Sequence, residues 1–249
     1  MPETNFDVIV IGAGPGGYPA AIRAAQLGLK VACVEDKHWG GICLNWGCIP
    51  TKSLLKNAEV WNTISKHAED YGITVTGAKF EMAKVVDRSR KVADQMNKGI
   101  QFLIKKYKVE AFNGRGKIES KGVVGVYGAD GKQTAKLNAK HIIIATGARA
   151  RWFPGMDVDN KRVITYKEAM VIGETPKSIV IIGAGAIGVE FAYFFNSFGA
   201  KVDIIEAMDR LLPIEDDEVS AELQKEFKKQ GIKAHLGAKV SSAKSTGKG

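Results

Sequence analysis

Cys43 and Cys48 are the residues of this chain best suited to chemistry: two thiols five positions apart, with Pro50 and Lys52 two and four positions beyond the second. Thiols at such spacing could exchange with a disulfide substrate or store two electrons as a reversible disulfide. Straight helix geometry opposes the pairing. Five residues rise about 7.5 Å along an α-helix, whereas bridged cysteines keep their Cα atoms about 4.4–6.8 Å apart. A Cys43–Cys48 bridge therefore requires a distorted or looped segment, and Gly47 supplies backbone freedom just before the second sulfur. The competing reading is two reduced thiols that never meet, and spacing alone leaves both open. On a helix, Lys52 shares a face with Cys48 about one turn away, so whatever sits against Cys48 is within reach of an ammonium group.

Two stretches have the pattern needed to position a phosphate-bearing partner. Residues 6–11 form an apolar, β-branched run, followed by Gly12, Gly14 and Gly17, a helical segment over 20–27 that stops at Gly28, and a strand over 31–34 ending in Glu35. The pattern repeats as a strand over 178–182, then Gly183, Gly185 and Gly188, a helix over 187–198 and a strand over 201–205 ending in Glu206. In both copies the acid falls twenty-three residues after the first glycine. The first glycine allows the tight turn, the second lets a pyrophosphate approach the backbone, and the third lets helix and strand pack closely. The helix N-terminus favours the phosphate charge, and the acid accepts hydrogen bonds from ribose hydroxyls. Two complete copies predict two dinucleotide sites, the alternative being a duplication with one copy idle. A carboxylate at Glu206 suits a free 2′-hydroxyl and repels a 2′-phosphate, so the second site should prefer NAD over NADP. Pro19 costs one helical hydrogen bond unless it lies in the first turn.

The remaining stretches read as scaffold. Residues 81–106 have the apolar period of a long packing helix (Val85, Val86, Val92, Met96, Ile100, Leu103, Ile104). From 109 to 139 the chain breaks into short β-like pieces, with a hairpin signal at Ala129-Asp130-Gly131-Lys132. A buried strand from His141 ends in the small-residue turn Ala145-Thr146-Gly147, and residues 149–159 have linker character. A short helix is expected over 166–171 and a strand over 232–240. The acidic run at 215–218 matches the positive end of a helix whose far end carries Lys225, Lys228 and Lys229, and it is read as structural. The fold class is thus α/β, two Rossmann-like dinucleotide-binding units with an inserted antiparallel β-meander, divided into residues 1–150 and 151–249.

Composition excludes several classes. The net charge of +9 comes from scattered lysines, the densest pieces being Lys105-Lys106-Tyr107-Lys108 and Lys228-Lys229. No interleaving of basic and aromatic residues forms a platform for single strands, so no specific nucleic-acid binding is expected. No apolar run is long enough to span a membrane, and the first residues lack the basic and apolar regions of a signal peptide. Three cysteines, an odd count, favour a reducing, cytoplasmic setting and a functional disulfide over a structural one. No metal site is expected, and His38, His67, His141 and His235 read as ordinary surface or core residues.

The string from Gly40 to Lys52, the two glycine fingerprints and the Ala-Thr-Gly turn occur in an order that resembles the flavin-dependent disulfide reductases, the class I pyridine nucleotide–disulfide oxidoreductases. Within them Ile49-Pro50-Thr51-Lys52 looks most like the dihydrolipoamide dehydrogenase branch. The resemblance covers the entire chain, and the cysteine segment is its specific part. It implies a Cys43–Cys48 redox disulfide, with Cys43 exchanging with lipoamide sulfur and Cys48 facing the flavin, and Lys52 beside the flavin with Glu190 as its carboxylate partner. It implies FAD held by Gly12, Gly14, Gly17, Glu35, Gly41, Lys52, the backbone near Gly116, and Ala145-Thr146-Gly147. NAD would be held by Gly183, Gly185, Gly188, Glu190, Glu206 and Val240. Residues 1–150 then correspond to an incomplete FAD-binding domain and 151–249 to an NAD-binding domain incomplete at its C-terminus. The implied reaction oxidises dihydrolipoamide and reduces NAD⁺. The implied partners are a lipoamide-bearing acyltransferase of a 2-oxo acid dehydrogenase complex and, for a full-length parent, a second copy in a homodimer. The family continues for about as many residues again, including a dimerisation domain with a histidine–glutamate base, so the expectation is a fragment that does not turn over alone. Alternatives are a glutathione or mercuric reductase type of enzyme, or a non-catalytic FAD-binding module.

Overall fold

The computed structural model describes residues 3–151 and 153–246. They form two compact units: the chain up to Pro50 with Arg90–Arg149, and Thr51–Ser89 with the chain from Ala150 onward.

The first unit is built on strands β1 (Glu3–Ile11), β2 (Val31–Glu35), β3 (Glu110–Asn113), β4 (Arg115–Ser120), β5 (Val123–Tyr127) and β6 (Gln133–Ile144). They lie in the order β3-β2-β1-β6-β5-β4. β3, β2, β1 and β6 run parallel, and β6, β5 and β4 are antiparallel. Alternation along the strands sorts the core into two layers. Ile9, Ile11, Ala32 and Val34 pack against Val124, Val126 and Leu137 of the meander. Val8, Val10, Val31 and Cys33 pack against helices: Ala21 of α1 (Tyr18–Gln26), Leu44 of α2 (Gly41–Trp46), and Ile100 and Ile104 near the end of α4 (Met82–Lys106). β1 and β2 are covered on both faces, which is why they read as continuous apolar runs. Ile143 and Ile144 at the end of β6 are exposed, unlike the buried strand expected from His141.

The second unit holds the parallel strands β7 (Ser178–Ile182), β8 (Lys201–Ile205) and β9 (Lys233–His235), in that order. Its core is centred on α6 (Ala186–Ser197), whose Phe191, Phe194 and Phe195 are buried with Phe198 just beyond. Leu54 and Ala58 of α3 (Cys48–Lys66) and Met82 join the same core. Residues 51–89 therefore pack with the chain beyond 150, because the apolar side of α3 is complementary to α6. A short helix, α5 (Tyr166–Ala169), is closed by a capping box in which Thr165 and Glu168 each satisfy the other's backbone end. In α7 (Asp217–Lys229), Asp216 accepts the Glu218 N–H at 2.9 Å, and acids at the start and lysines at the end match the helix dipole.

Some boundaries differ from the sequence expectation. Pro19 sits within the first turn of α1, where its missing N–H costs nothing. Residues 110–113 join the parallel edge beside β2, so only β4–β6 are antiparallel, and the long β6 carries the meander and the parallel sheet on one strand. The strand expected over 232–240 is only Lys233–His235. Gly237 takes φ +64° and turns the chain, so that its N–H reaches Met208 O and the Ala238 N–H reaches Glu206 O.

Candidate functional site

Cys43 and Cys48 form a disulfide, with their Cα atoms 4.7 Å apart. The expected distortion is a break between two helices: α2 ends at Trp46, Gly47 leaves helical geometry, and α3 starts at Cys48. A Cβ on Gly47 would lie 3.1 Å from Ile42 O and 3.2 Å from Cys43 Cα, so only glycine lets the turn close this tightly without displacing its neighbours. Cys48 stands at the first position of a 19-residue helix. The positive end of that helix favours a thiolate there over a neutral thiol once the bond is reduced.

The segment is tied to the first glycine loop. The Gly40 N–H donates to Ala13 O at 2.9 Å, and a Cβ on Gly41 would come within 2.5 Å of Gly14 Cα. The same Ala13 donates its own N–H to Glu35 Oε2 at 2.7 Å. Glu35 Oε1 also accepts from the Lys37 and His38 N–H groups at 2.9 and 3.1 Å. The carboxylate expected to hold ribose hydroxyls thus first braces the loop and retains about one acceptor position of its four. Ala145 donates to Ile11 O at 2.8 Å, which parks the Ala145-Thr146-Gly147 turn against Gly12. Gly116 packs over Ile11 and Val34. The structure so gathers Gly12, Gly14, Gly17, Glu35, Gly41, Gly116 and Ala145–Gly147 around the carboxyl end of β1.

The second loop repeats the first. Ala184 donates to Glu206 Oε2 at 2.7 Å, and Glu206 Oε1 accepts from Met208 N–H at 2.9 Å. In both loops a Cβ on the third glycine, Gly17 or Gly188, would run into the carbonyl oxygen of the first, Gly12 or Gly183. Neither α1 nor α6 has a side-chain cap. The first N–H groups of α6 are therefore available to an anion, whereas in α1 the Tyr18 N–H turns back to Gly14 O at 3.0 Å and Pro19 has none to offer. A Cβ at Gly185 would meet nothing within 4 Å, which leaves the loop open to an approaching phosphate. The α6 donors and the open backbone at Gly185 fit a pyrophosphate at the second loop, and the first loop repeats the glycine geometry with fewer free donors.

Lys52, on α3, forms an ion pair with Glu190 on α6 through Nζ and Oε1. Val240 lies in the irregular segment after β9, away from any strand. His67 pairs with Asp70 at 3.1 Å and His235 with Asp203 at 2.8 Å, both on the surface. The third cysteine, Cys33, is free and buried in β2, and burial followed by the nearby Glu35 pushes its thiol up to about 12. Among the described residues no group of three or more His, Cys, Asp or Glu could hold a metal ion, and no helix is long and apolar enough to cross a membrane.

Sequence reasoning missed the polar network beneath the disulfide. Asn45 Nδ2 donates to Gly41 O and Trp39 O at 2.8 and 2.9 Å, and Asn97 Nδ2 reaches Trp39 O and Asn45 Oδ1. Arg90 Nη1 donates to Asn45 O at 2.7 Å, and its guanidinium lies 4.8 Å from the Trp46 ring centre. Asn97 and Arg90 reach partners about fifty residues away in the chain, so no local spacing pattern announces those contacts.

The pyridine nucleotide-disulphide oxidoreductase family matches residues 6–248 of this chain. A dihydrolipoyl dehydrogenase of Zymomonas mobilis is 51% identical over 229 residues, 92% of this chain and 49% of the relative. One of Mycobacterium leprae is 48% identical over 246 residues, 98% of this chain and 52% of the relative. The chain therefore spans about half the length of the curated relatives it matches. In backbone it resembles a crystal structure of LpdA from Mycobacterium tuberculosis, with a TM-score of 0.87 at 24% identity over 96% of this chain and 52% of that one. It also resembles the flavoprotein disulfide reductase RclA from Escherichia coli, with a TM-score of 0.78 at 25% identity over 96% of this chain and 51% of that one. The mixed α/β fold with its two glycine loops, the Cys43–Cys48 disulfide and the match along nearly the whole length agree: this chain belongs to the pyridine nucleotide–disulphide oxidoreductase family.

Proposed function

We propose that this chain carries the disulfide and cofactor-binding part of a dihydrolipoyl dehydrogenase. The observation that supports this most directly is the Cys43–Cys48 bridge, closed across a helix break with Cys48 at the N-terminus of α3 and Gly40 tied to the first glycine loop. In this reading one dihydrolipoamide thiolate attacks Cys43 Sγ and displaces Cys48 as a thiolate, forming a mixed disulfide. The second lipoamide thiolate then attacks the lipoamide sulfur of that mixed disulfide and displaces Cys43. Lipoamide leaves oxidised, and the two electrons remain on the reduced cysteine pair. The helix dipole at Cys48 makes it the better leaving group in the first step.

FAD, held at Gly12–Gly17, Glu35, Gly41, Gly116 and Ala145–Gly147, would accept the two electrons and NAD⁺ would carry them away. Lys52, held by Glu190, adds positive charge one turn along α3 from Cys48 and favours its thiolate. Gly183, Gly185, Gly188 and Glu206, with Val240 nearby in sequence, would hold NAD, the Glu206 carboxylate disfavouring a 2′-phosphate. The reductant would arrive on the lipoyl arm of an acyltransferase in a 2-oxo acid dehydrogenase complex, and the parent protein would act as a homodimer in the cytoplasm.

Rates with dihydrolipoamide and NAD⁺ against glutathione disulfide and NADPH, measured on protein carrying FAD, test the reading. The first pair should be preferred. Preference for the second pair would replace the dihydrolipoyl assignment with a glutathione-reductase type, and protein that retains no flavin absorbance after FAD addition would remove the flavin site as well.

A further inference from the structure

The best-built polar contact near the disulfide has no part in the exchange chemistry itself. The last carbonyls of a helix lack intrahelical partners. In α2 one of these, Asn45 O, is taken by Arg90 Nη1 at 2.7 Å. The same guanidinium stacks over Trp46, the last residue of α2, at 4.8 Å, while the His38 ring, tilted by 59°, has its centre 6.3 Å from that of the indole. Arg90 is half-buried on α4, and burial lowers its affinity for a proton, opposed by the charge of Asp94. Asn45 and Trp46 are two of the four residues between the cysteines. Every group that holds them also decides whether Sγ of Cys43 can reach Sγ of Cys48.

We propose that Arg90 and Trp46 form a latch that keeps the α2–Gly47–α3 turn closed, so that the two thiols stay paired when the disulfide is reduced. Arg90 is a positioning residue: it acts on the cysteines through Asn45 O and the Trp46 ring. The latch and the S–S bond close the same turn, so by reciprocity each strengthens the other. The latch therefore raises the effective concentration of one thiol at its partner and shifts the thiol–disulfide equilibrium toward the bond. The proposal rests on the redox reading of Cys43–Cys48 and requires neither cofactor nor lipoamide.

The test equilibrates the chain in glutathione redox buffers at pH 7, quenches it, and counts free thiols by mass. In the reaction two glutathione thiols supply two electrons and two protons, the protein disulfide becomes a dithiol, and glutathione disulfide is formed. Arg90→Met and Trp46→Leu should each lower the equilibrium constant for forming the Cys43–Cys48 bond about tenfold, or about 30 mV for a two-electron couple. The double variant should fall no further than Arg90→Met alone, because that substitution already removes both the Asn45 O bond and the Trp46 contact. Arg90→Lys should be intermediate. Trp46→Phe, which keeps a ring face, and Lys98→Met, on the exposed side of α4, should match the parent chain. The fall should be equal at pH 6 and pH 8. An equilibrium constant unchanged in Arg90→Met overturns the latch. So does an effect confined to pH 8, which would assign Arg90 to thiolate charge. If Arg90→Met loses its far-ultraviolet circular dichroism, parent-like constants in both Arg90→Lys and Trp46→Leu overturn the proposal. A parent chain that forms no bond in any buffer removes the redox reading itself, whereas a parent that forms it and variants that match it remove only the latch.

Discussion

Ala13 is held from both sides: its N–H donates to Glu35 Oε2 at 2.7 Å, and its carbonyl accepts the Gly40 N–H at 2.9 Å. One residue of the glycine loop thus joins the acid at the end of β2 to the start of the cysteine segment. Glu35→Gln should weaken both functions assigned to the loop. Replacing a charge-assisted bond by a neutral one is expected to cost about 1–2 kcal/mol of stability, read from urea unfolding. FAD titrated into the variant should bind more weakly than to the parent chain. Unchanged unfolding and unchanged flavin binding would show that the brace does not organise the loop.

The third glycines make a sharper stability prediction. Gly188→Ala places a methyl group into Gly183 O, and the loop must move or the chain unfold more easily, by about 2–3 kcal/mol or more. Gly99→Ala, in the middle of α4 with nothing within 4 Å of the new Cβ, should stabilise by about 0.5–1 kcal/mol through helix propensity. Opposite shifts in the urea midpoint for two identical chemical changes would separate close packing from backbone entropy.

Lys52 and Glu190 form an ion pair whose proposed role is in the chemistry and not in stability. The Lys52 side chain is 62% exposed, and ion pairs so open to water contribute about 0–1 kcal/mol. Lys52→Met should leave the thermal midpoint nearly unchanged while slowing alkylation of the reduced Cys48 at neutral pH, because the nearby positive charge that favours the thiolate is gone. A large drop in the midpoint would mean that the pair is structural.

The three cysteines should label in a fixed order. After reduction of the native chain, iodoacetamide at pH 8 should modify Cys43 and Cys48 and leave Cys33 untouched. Burial, together with the Glu35 charge, pushes the Cys33 thiol up to about 12, so almost none of it is thiolate at that pH. In urea all three should react. Peptide mass mapping distinguishes the cases, and rapid labelling of Cys33 in the native state would contradict its placement in the core.

Asp159 should titrate low. Its Oδ1 accepts the N–H groups of Lys161, Arg162 and Val163 at 2.7–2.9 Å, and those backbone bonds, Arg162 first, bring its carboxyl from 3.8 down to about 2. A folded value below the unfolded one means that the contribution to stability is present above the ordinary value and is lost as pH falls through about 2. A carboxyl NMR titration with its midpoint near 4 would rule out the turn as drawn.

Much of the fold is legible without coordinates because its signals are local. Gly12, Gly14 and Gly17 before a helix, with an acid at a set distance, report a turn whose sterics involve only residues nearby in the chain, and the repeat at Gly183–Glu206 reports it twice. A bridge between Cys43 and Cys48 likewise required a broken helix, though the spacing alone left the bridge open, and Gly47 marked where the break falls. The turn at Gly237 was less legible: β propensity favoured a longer strand, but glycine at positive φ ended it.

The assignments that need distant partners were decided only by packing. That the carboxylates of Glu35 and Glu206 first brace their own loops depends on where the preceding strand ends in space. That residues 51–89 share a core with α6 depends on the fit of Leu54, Ala58 and Met82 against its phenylalanines. The Arg90–Trp46 contact joins residues forty-four positions apart, and neither has a pattern in its own neighbourhood that points to the other. Composition and spacing state which groups the chain owns and which turns it can make. Which of those groups meet is settled by side-chain burial, since long-range contacts form only where the apolar faces of separate helices and strands close over one another.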